Sequence, residues 1–117
     1  MASNVGRWSS VALAASGVGI ALQPDQATKS LGLAIISPRG RAEVRAGLGG
    51  TFAALGTWAL LRNSSDVYRA VGVTWLGAAA ARLTSLRVDE PETNLTYWAF
   101  LVAELGFGLG GLVARGR

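Results

Sequence analysis

The chain has 117 residues, half of them hydrophobic and 15% charged, with a formal net charge of +4. A soluble domain carries about a quarter charged residues because most of its surface faces water, so lipid is the expected solvent for much of this one. Cysteine and histidine are both absent, which removes disulfides, thiol chemistry and an ordinary zinc or copper site, and the positive charge forms no dense stripe of the kind nucleic acid requires.

Four apolar segments follow one another along the sequence. A hydrocarbon core of about 30 Å needs about 20 helical residues, and backbone groups in lipid must pair internally, so each segment is expected to be a helix. The first covers residues 8–22 and stops at "QPDQ". With Arg7 before it and small residues within it, this segment has the outline of a signal peptide, but the three apolar segments that follow favour a first membrane span.

Residues 23–42 form the next unit. The apolar run 31–36 inside "LGLAIISPRGR" is too short to span and Pro38 ends it, so the whole interval is expected to be an interfacial loop whose apolar run lies along the membrane surface or caps the bundle mouth. The second span is placed at 43–61 and the third at 68–88, separated by "RNSSD". The fourth is placed at 95–114, after "RVDEPETN", where Pro91 prevents a continuous helix. The expected fold is all-α, a single membrane-embedded antiparallel four-helix bundle over residues 1–117.

Orientation follows from the basic residues of the loops. One side holds Arg7, Arg62, Arg69, Arg115 and Arg117, the other Lys29, Arg39, Arg41 and Arg87, so both termini are expected in the cytoplasm. Small residues recur at helical spacing: Gly49, Ala53 and Gly56 share one face, and Gly47, Gly50 and Ala54 another. The fourth segment has Gly106 with Gly110 and Gly108 with Gly111. Such spacings let helix backbones approach closely in lipid, either within the chain or at a homodimer seam.

One carboxylate stands out. Glu104 lies nine residues into the fourth segment, about 13 Å below the boundary, and Arg82 lies about 9 Å below the same boundary on the third. A charge at that depth costs several kcal/mol unless paired, so the two are expected to meet. Glu43 and Arg45 start the second segment on the same side, and helical spacing aligns Glu43 with Gly47, Gly50 and Ala54. With Trp75 on the third segment and Tyr97 on the fourth, these residues would frame a narrow polar vestibule. Trp8, Trp58, Trp98, Tyr68 and Tyr97 fall near segment ends, as aromatic belts do, whereas Trp75 is deeper.

Several uses of the pair stay open. It would fix helix register without chemistry, bind a small amphiphilic ligand or a lipid headgroup, or move protons. In a membrane-embedded isomerase or cyclase acting on a lipid-like substrate, Glu104 would be the general acid or base. No phosphate-cradling loop, nucleophile elbow or metal-ligand spacing is present, so no cofactor and no metal is expected.

Three stretches, "GRAEVRAGLGGTFAALG", "AARLTSL" and "VAELG", resemble in order and spacing an uncharacterised bacterial family of small four-span membrane proteins, a domain of unknown function. The resemblance covers residues 31–113, and its most specific part is Glu43-x-Arg45-Ala46 leading into Gly49-Gly50. The family pattern also has an Arg near the end of the third span and a Glu inside the fourth, matched by Arg82 and Glu104. It often has an aromatic residue before the glycine pair, where this chain has Leu48. The resemblance implies the topology and a bacterial cell membrane; it implies no activity.

Overall fold

Prolines, caps and left-handed residues divide the chain into helices. In the computed structural model, which describes residues 2–115 and side chains from residue 4 onward, the described chain is all-helical with no strand. Arg117, counted above for orientation, lies outside the described residues. Helix α1 (Ala2–Leu22) stops where Gln23 leaves helical geometry ahead of Pro24. Pro24 then opens α2 (Pro24–Ser30), at a position where a missing N–H is tolerated. Gly32, at φ +73°, closes α2: its N–H donates to Lys29 O and that of Leu33 to Thr28 O, at 3.1 and 2.8 Å. The interval 23–42, expected to be a loop, thus contains a capped helix of its own.

Ser37 caps α3 (Pro38–Val44), its Oγ accepting from Gly40 N–H at 3.0 Å. The rod continues through a π-helical turn (Arg45–Gly50) into α4 (Thr51–Arg62), and Val44 and Gly50 keep helical dihedrals at both joints. Asn63, left-handed at φ 49°, ends α4. Ser64 and Asn94 cap α5 (Ser65–Val88) and α6 (Leu95–Val113) with their side-chain oxygens.

Helix α1 packs most closely against α4, and α5 against α6, while α1 also touches both α5 and α6. The result is flat, with extents of 44 × 31 × 19 Å. Glycines set the two closest crossings. A Cβ on Gly17 would lie 2.2 Å from Ala53 N and one on Gly56 2.5 Å from Ala14 N; a Cβ on Gly111 would lie 2.6 Å from Gly72 Cα. Gly108 and Gly110 are likewise closed in by Leu76 and Val5, whereas Gly47, Gly77 and Gly106 face open space. Most of the small-residue spacing is therefore used within the chain.

The interior is small. Leu13, Tyr68, Val71, Ala59 and Ala114 form its centre, with Phe52, Leu55, Val67 and Trp75 against it. Tyr68, expected at an interfacial belt, is fully buried and donates its hydroxyl hydrogen to Asn63 Oδ1. It fills the space beside Gly6, where a Cβ would meet its ring. Trp8, Trp58 and Trp98 are exposed, as are Leu22, Ile36, Leu61, Val88, Leu95 and Val102. The accessible surface is 7361 Å², against about 6,000 Å² for a soluble monomer of this mass.

Two helical stretches are long and apolar enough to cross a membrane by length and composition, Asn4–Leu22 and Leu95–Val113, with mean hydropathies of 1.3 and 1.4. Of the four expected spans, only these reach that apolarity among the described residues. The rod from Pro38 to Arg62 is divided by the π turn, and α5 carries Asp66, Arg69, Arg82 and Arg87 along its length.

Candidate functional site

Arg82 and Glu104 meet. Arg82 Nε donates to Glu104 Oε1 at 2.8 Å and Nη2 donates to Oε2 at 3.0 Å. This fork-to-fork geometry satisfies both carboxylate oxygens and is among the strongest arrangements such a pair has. Glu104 is 5% exposed, and burial in a poorly polarisable interior strengthens the attraction that offsets its lost hydration.

Aromatic rings hold the guanidinium from the other side. Its carbon lies 5.0 Å from the Tyr97 ring centroid and 5.5 Å from that of Phe100, within range of a cation–π attraction. Tyr97 also donates its hydroxyl hydrogen to Arg82 O at 3.0 Å, tying α6 to the backbone of α5. Tyr97, Phe100 and Glu104 fall on one side of α6 by the three-to-four residue spacing. Phe100 was not among the expected vestibule residues, although its place between Tyr97 and Glu104 at that spacing would have pointed to it.

The other expected vestibule residues lie elsewhere. Glu43 is exposed and pairs with Arg39 one turn earlier, Nε to Oε1 at 3.2 Å. Arg45 donates from Nη1 to Ala21 O at 2.7 Å, capping a terminal carbonyl of α1. Gly47, Gly50 and Ala54, expected on the same inward face as Glu43, are exposed too. The reason is twofold. The face bearing Gly49 and Gly56 packs against α1, which turns the opposite face outward. The π turn also shifts the helical register, so α-helical spacing does not carry through residues 45–50. Trp75 lies two turns below Arg82, where Nε1 donates to Ser9 O at 3.2 Å and the ring packs 5.4 Å from Phe107. It supports the interior of the fold rather than the pair.

Two neighbouring cavities lie on this side of the molecule, the smaller of them against Arg82. A small mouth of about 130 Å³ is lined by Arg82, Glu92, Asn94, Tyr97 and Phe100 together with Ser30, Leu31 and Gly32 after α2. A larger groove of about 510 Å³ runs along Ala15, Ser16, Gly19 and Ile20 of α1 under Ala27 of α2. Ser30, Leu31 and Phe100 belong to both. The segment from Ser30 to Gly32 is placed by the turn that ends α2; its last two residues begin the apolar run expected along the membrane surface or over the bundle mouth, and they line the mouth. Glu104 lines neither cavity, so the carboxylate anchors Arg82 and does not face the open space.

No group of acidic residues with metal-binding spacing occurs among the described residues. Every buried side-chain nitrogen and oxygen among them has a hydrogen-bond partner. What the arrangement offers is a fixed guanidinium edge, two aromatic rings and the Glu92 carboxylate beside an apolar trough. The chain matches no protein-family model, and no curated protein and no solved structure is significantly similar to it.

Proposed function

We propose that the chain is a four-span integral membrane protein of the bacterial cell membrane that binds an amphiphile beside the Arg82–Glu104 pair. The observation that carries the binding reading is the adjacency of the apolar groove and the polar mouth, which share Ser30, Leu31 and Phe100 in their walls. An amphiphile has the same two-part character, and the groove's volume falls within the range of about 300–1,000 Å³ found for small-molecule sites. The membrane reading is supported by the small interior and the many large apolar side chains on the outside. The helices less apolar than α1 and α6 are consistent with it. In α5 the charges Asp66, Arg69 and Arg87 lie near the ends, and Arg82 is neutralised by Glu104.

Glu104 as a general acid or base is less well supported. Both of its oxygens accept from Arg82, and it lines neither cavity. A proton donor or acceptor needs hydrogen-bond reach to its substrate, directly or through one water.

Purification tests both halves of this reading. The wild type is expected to stay monodisperse only in detergent or lipid, and to carry an amphiphile identifiable by mass spectrometry of its organic extract. Gly19 faces open space in the groove, so Gly19→Trp should fill the groove without forcing helices apart and should lose that amphiphile. A monodisperse monomer in the aqueous fraction without detergent would overturn the membrane assignment. Equal amphiphile content in both forms would overturn the binding site.

The termini offer a separate check. The start of α1 and the end of α6 lie together, with Gly6 against Ala114 and Gly110 against Val5. An even number of crossings puts both ends on one side, with which that adjacency agrees, and the arginine count favours the cytoplasm for that side. Reporter fusions at both ends should be active on the cytoplasmic side only. Opposite answers at the two ends would exclude an even number of spans.

A further inference from the structure

The two cavities differ in charge as well as polarity, and that difference bears on the headgroup. Arg82 is neutralised by Glu104, yet its Nη1 group takes no part in that pair and the residue lines the mouth. Asn94 uses its side-chain oxygen to cap α6, which leaves its amide hydrogens as donors beside Arg82. Glu92 lines the same mouth, is exposed, and pairs with no cation among the described residues. The mouth therefore presents hydrogen-bond donors from Arg82 and Asn94 and an uncompensated negative charge from Glu92.

We infer that the groove selects a zwitterionic bilayer lipid, its phosphate diester taken by Arg82 and Asn94 and its ammonium by Glu92. This rests on the amphiphile-binding reading above. The competing headgroups each leave one side of the mouth unmatched. A purely anionic head would bring a second negative charge against Glu92, while the positive charge of Arg82 is already balanced. A purely cationic head would satisfy Glu92 but would face the guanidinium, which already lies over Tyr97 and Phe100. A zwitterion meets donors with its phosphate and the carboxylate with its ammonium.

Depth agrees with this assignment. Glu92 and Asn94 precede α6, at the level where headgroups sit, and Phe100 lies about 8 Å further in, five residues into that helix. The groove continues along α1 to Ala15, about 10 Å from the end of that helix at Leu22. A hydrocarbon chain attached at the mouth would run inward along α1 from the boundary.

The test uses two single-chain probes with the same acyl group, lysophosphatidylethanolamine and lysophosphatidylglycerol. Each is titrated into the protein in a nonionic sugar detergent and read by native mass spectrometry. The wild type should bind the ethanolamine probe about fivefold more tightly, the worth of one partly exposed ion pair. Glu92→Gln should bring the two probes to near parity, and Glu92→Lys should reverse the order. Glu90→Gln, which removes a neighbouring carboxylate outside the mouth, should leave the preference intact. Gly19→Trp should abolish binding of both probes.

Equal binding of the two probes by the wild type, or a preference for the glycerol probe that Gly19→Trp still blocks, would overturn the headgroup assignment while leaving the groove as a binding site. Equal loss of preference in Glu90→Gln and Glu92→Gln would overturn it too, since diffuse surface charge would then be the cause. Wild-type affinity for both probes in Gly19→Trp would instead remove the groove itself.

Discussion

Arg82→Ala and Glu104→Ala should each destabilise the protein strongly, and the double replacement should cost much less than their sum. Removing one member of a buried pair strands the other without its partner, at a typical loss of about 3–5 kcal/mol, whereas removing both leaves no uncompensated charge. Arg82→Ala should be the worse single change. It loses the contacts over Tyr97 and Phe100 as well as the two hydrogen bonds to Glu104, and each cation–π contact is worth about 0.5–2 kcal/mol. Arg82→Lys should recover only part of the loss, because an ammonium on a flexible stem does not reproduce the two-pronged approach to both carboxylate oxygens. Glu104→Gln keeps shape but offers one acceptor where Arg82 has two donors, so amphiphile binding should weaken without being abolished if the carboxylate serves only to hold Arg82 in place. Thermal unfolding of the four forms of the cycle in one detergent checks the coupling. Additive losses would show that the two side chains act independently.

The second large effect belongs to the glycines at the helix crossings. A Cβ on Gly17 would sit 2.2 Å from Ala53 N and 2.5 Å from Gly49 O, and one on Gly72 would sit 2.7 Å from Gly108 O. These neighbours are backbone atoms, which have no alternative rotamer to adopt. The helices must separate, and the contact along the whole crossing weakens. Gly17→Ala and Gly72→Ala should therefore each lose at least the cost of ordinary overpacking, about 1–3 kcal/mol. Gly77 lies on the same helix as Gly72 with no heavy atom within 4 Å of the added carbon. Gly77→Ala should be neutral or gain up to about 1 kcal/mol from better helix propensity. The three variants share one chemical change, so the sign difference isolates the close approach. Wild-type melting of Gly17→Ala in the same detergent would show that α1 and α4 do not cross at that glycine.

The helical character of the chain, the approximate positions of its long helices and the meeting of Arg82 with Glu104 were all legible in the sequence, because each rests on local rules. Hydropathy and helix-breaking residues divide the chain, and the low charge makes an unpaired buried carboxylate untenable. The small residues at helical spacing likewise announced close crossings.

Which crossings form was not legible. Gly49 and Gly56 share one face and Gly47 and Gly50 another, yet only packing on α1 decides which of the two turns inward. That choice removed Glu43 and Arg45 from the expected vestibule, sending the first to Arg39 and the second to a carbonyl of α1. The π turn compounded the error, since a change of helical pitch at "RAGLGG" invalidates face assignments drawn across it. Tyr68 shows the same limit. Near a segment end it reads as an interfacial anchor, but the missing side chain of Gly6 opens a place for its ring in the interior. The two neighbouring cavities were decided by tertiary structure, because their walls bring together α1, the turn after α2 and α6, which are far apart in sequence. Periodicity reports which face of a helix is suited to burial; which partner covers that face depends on contacts between distant segments, and local spacing does not encode them.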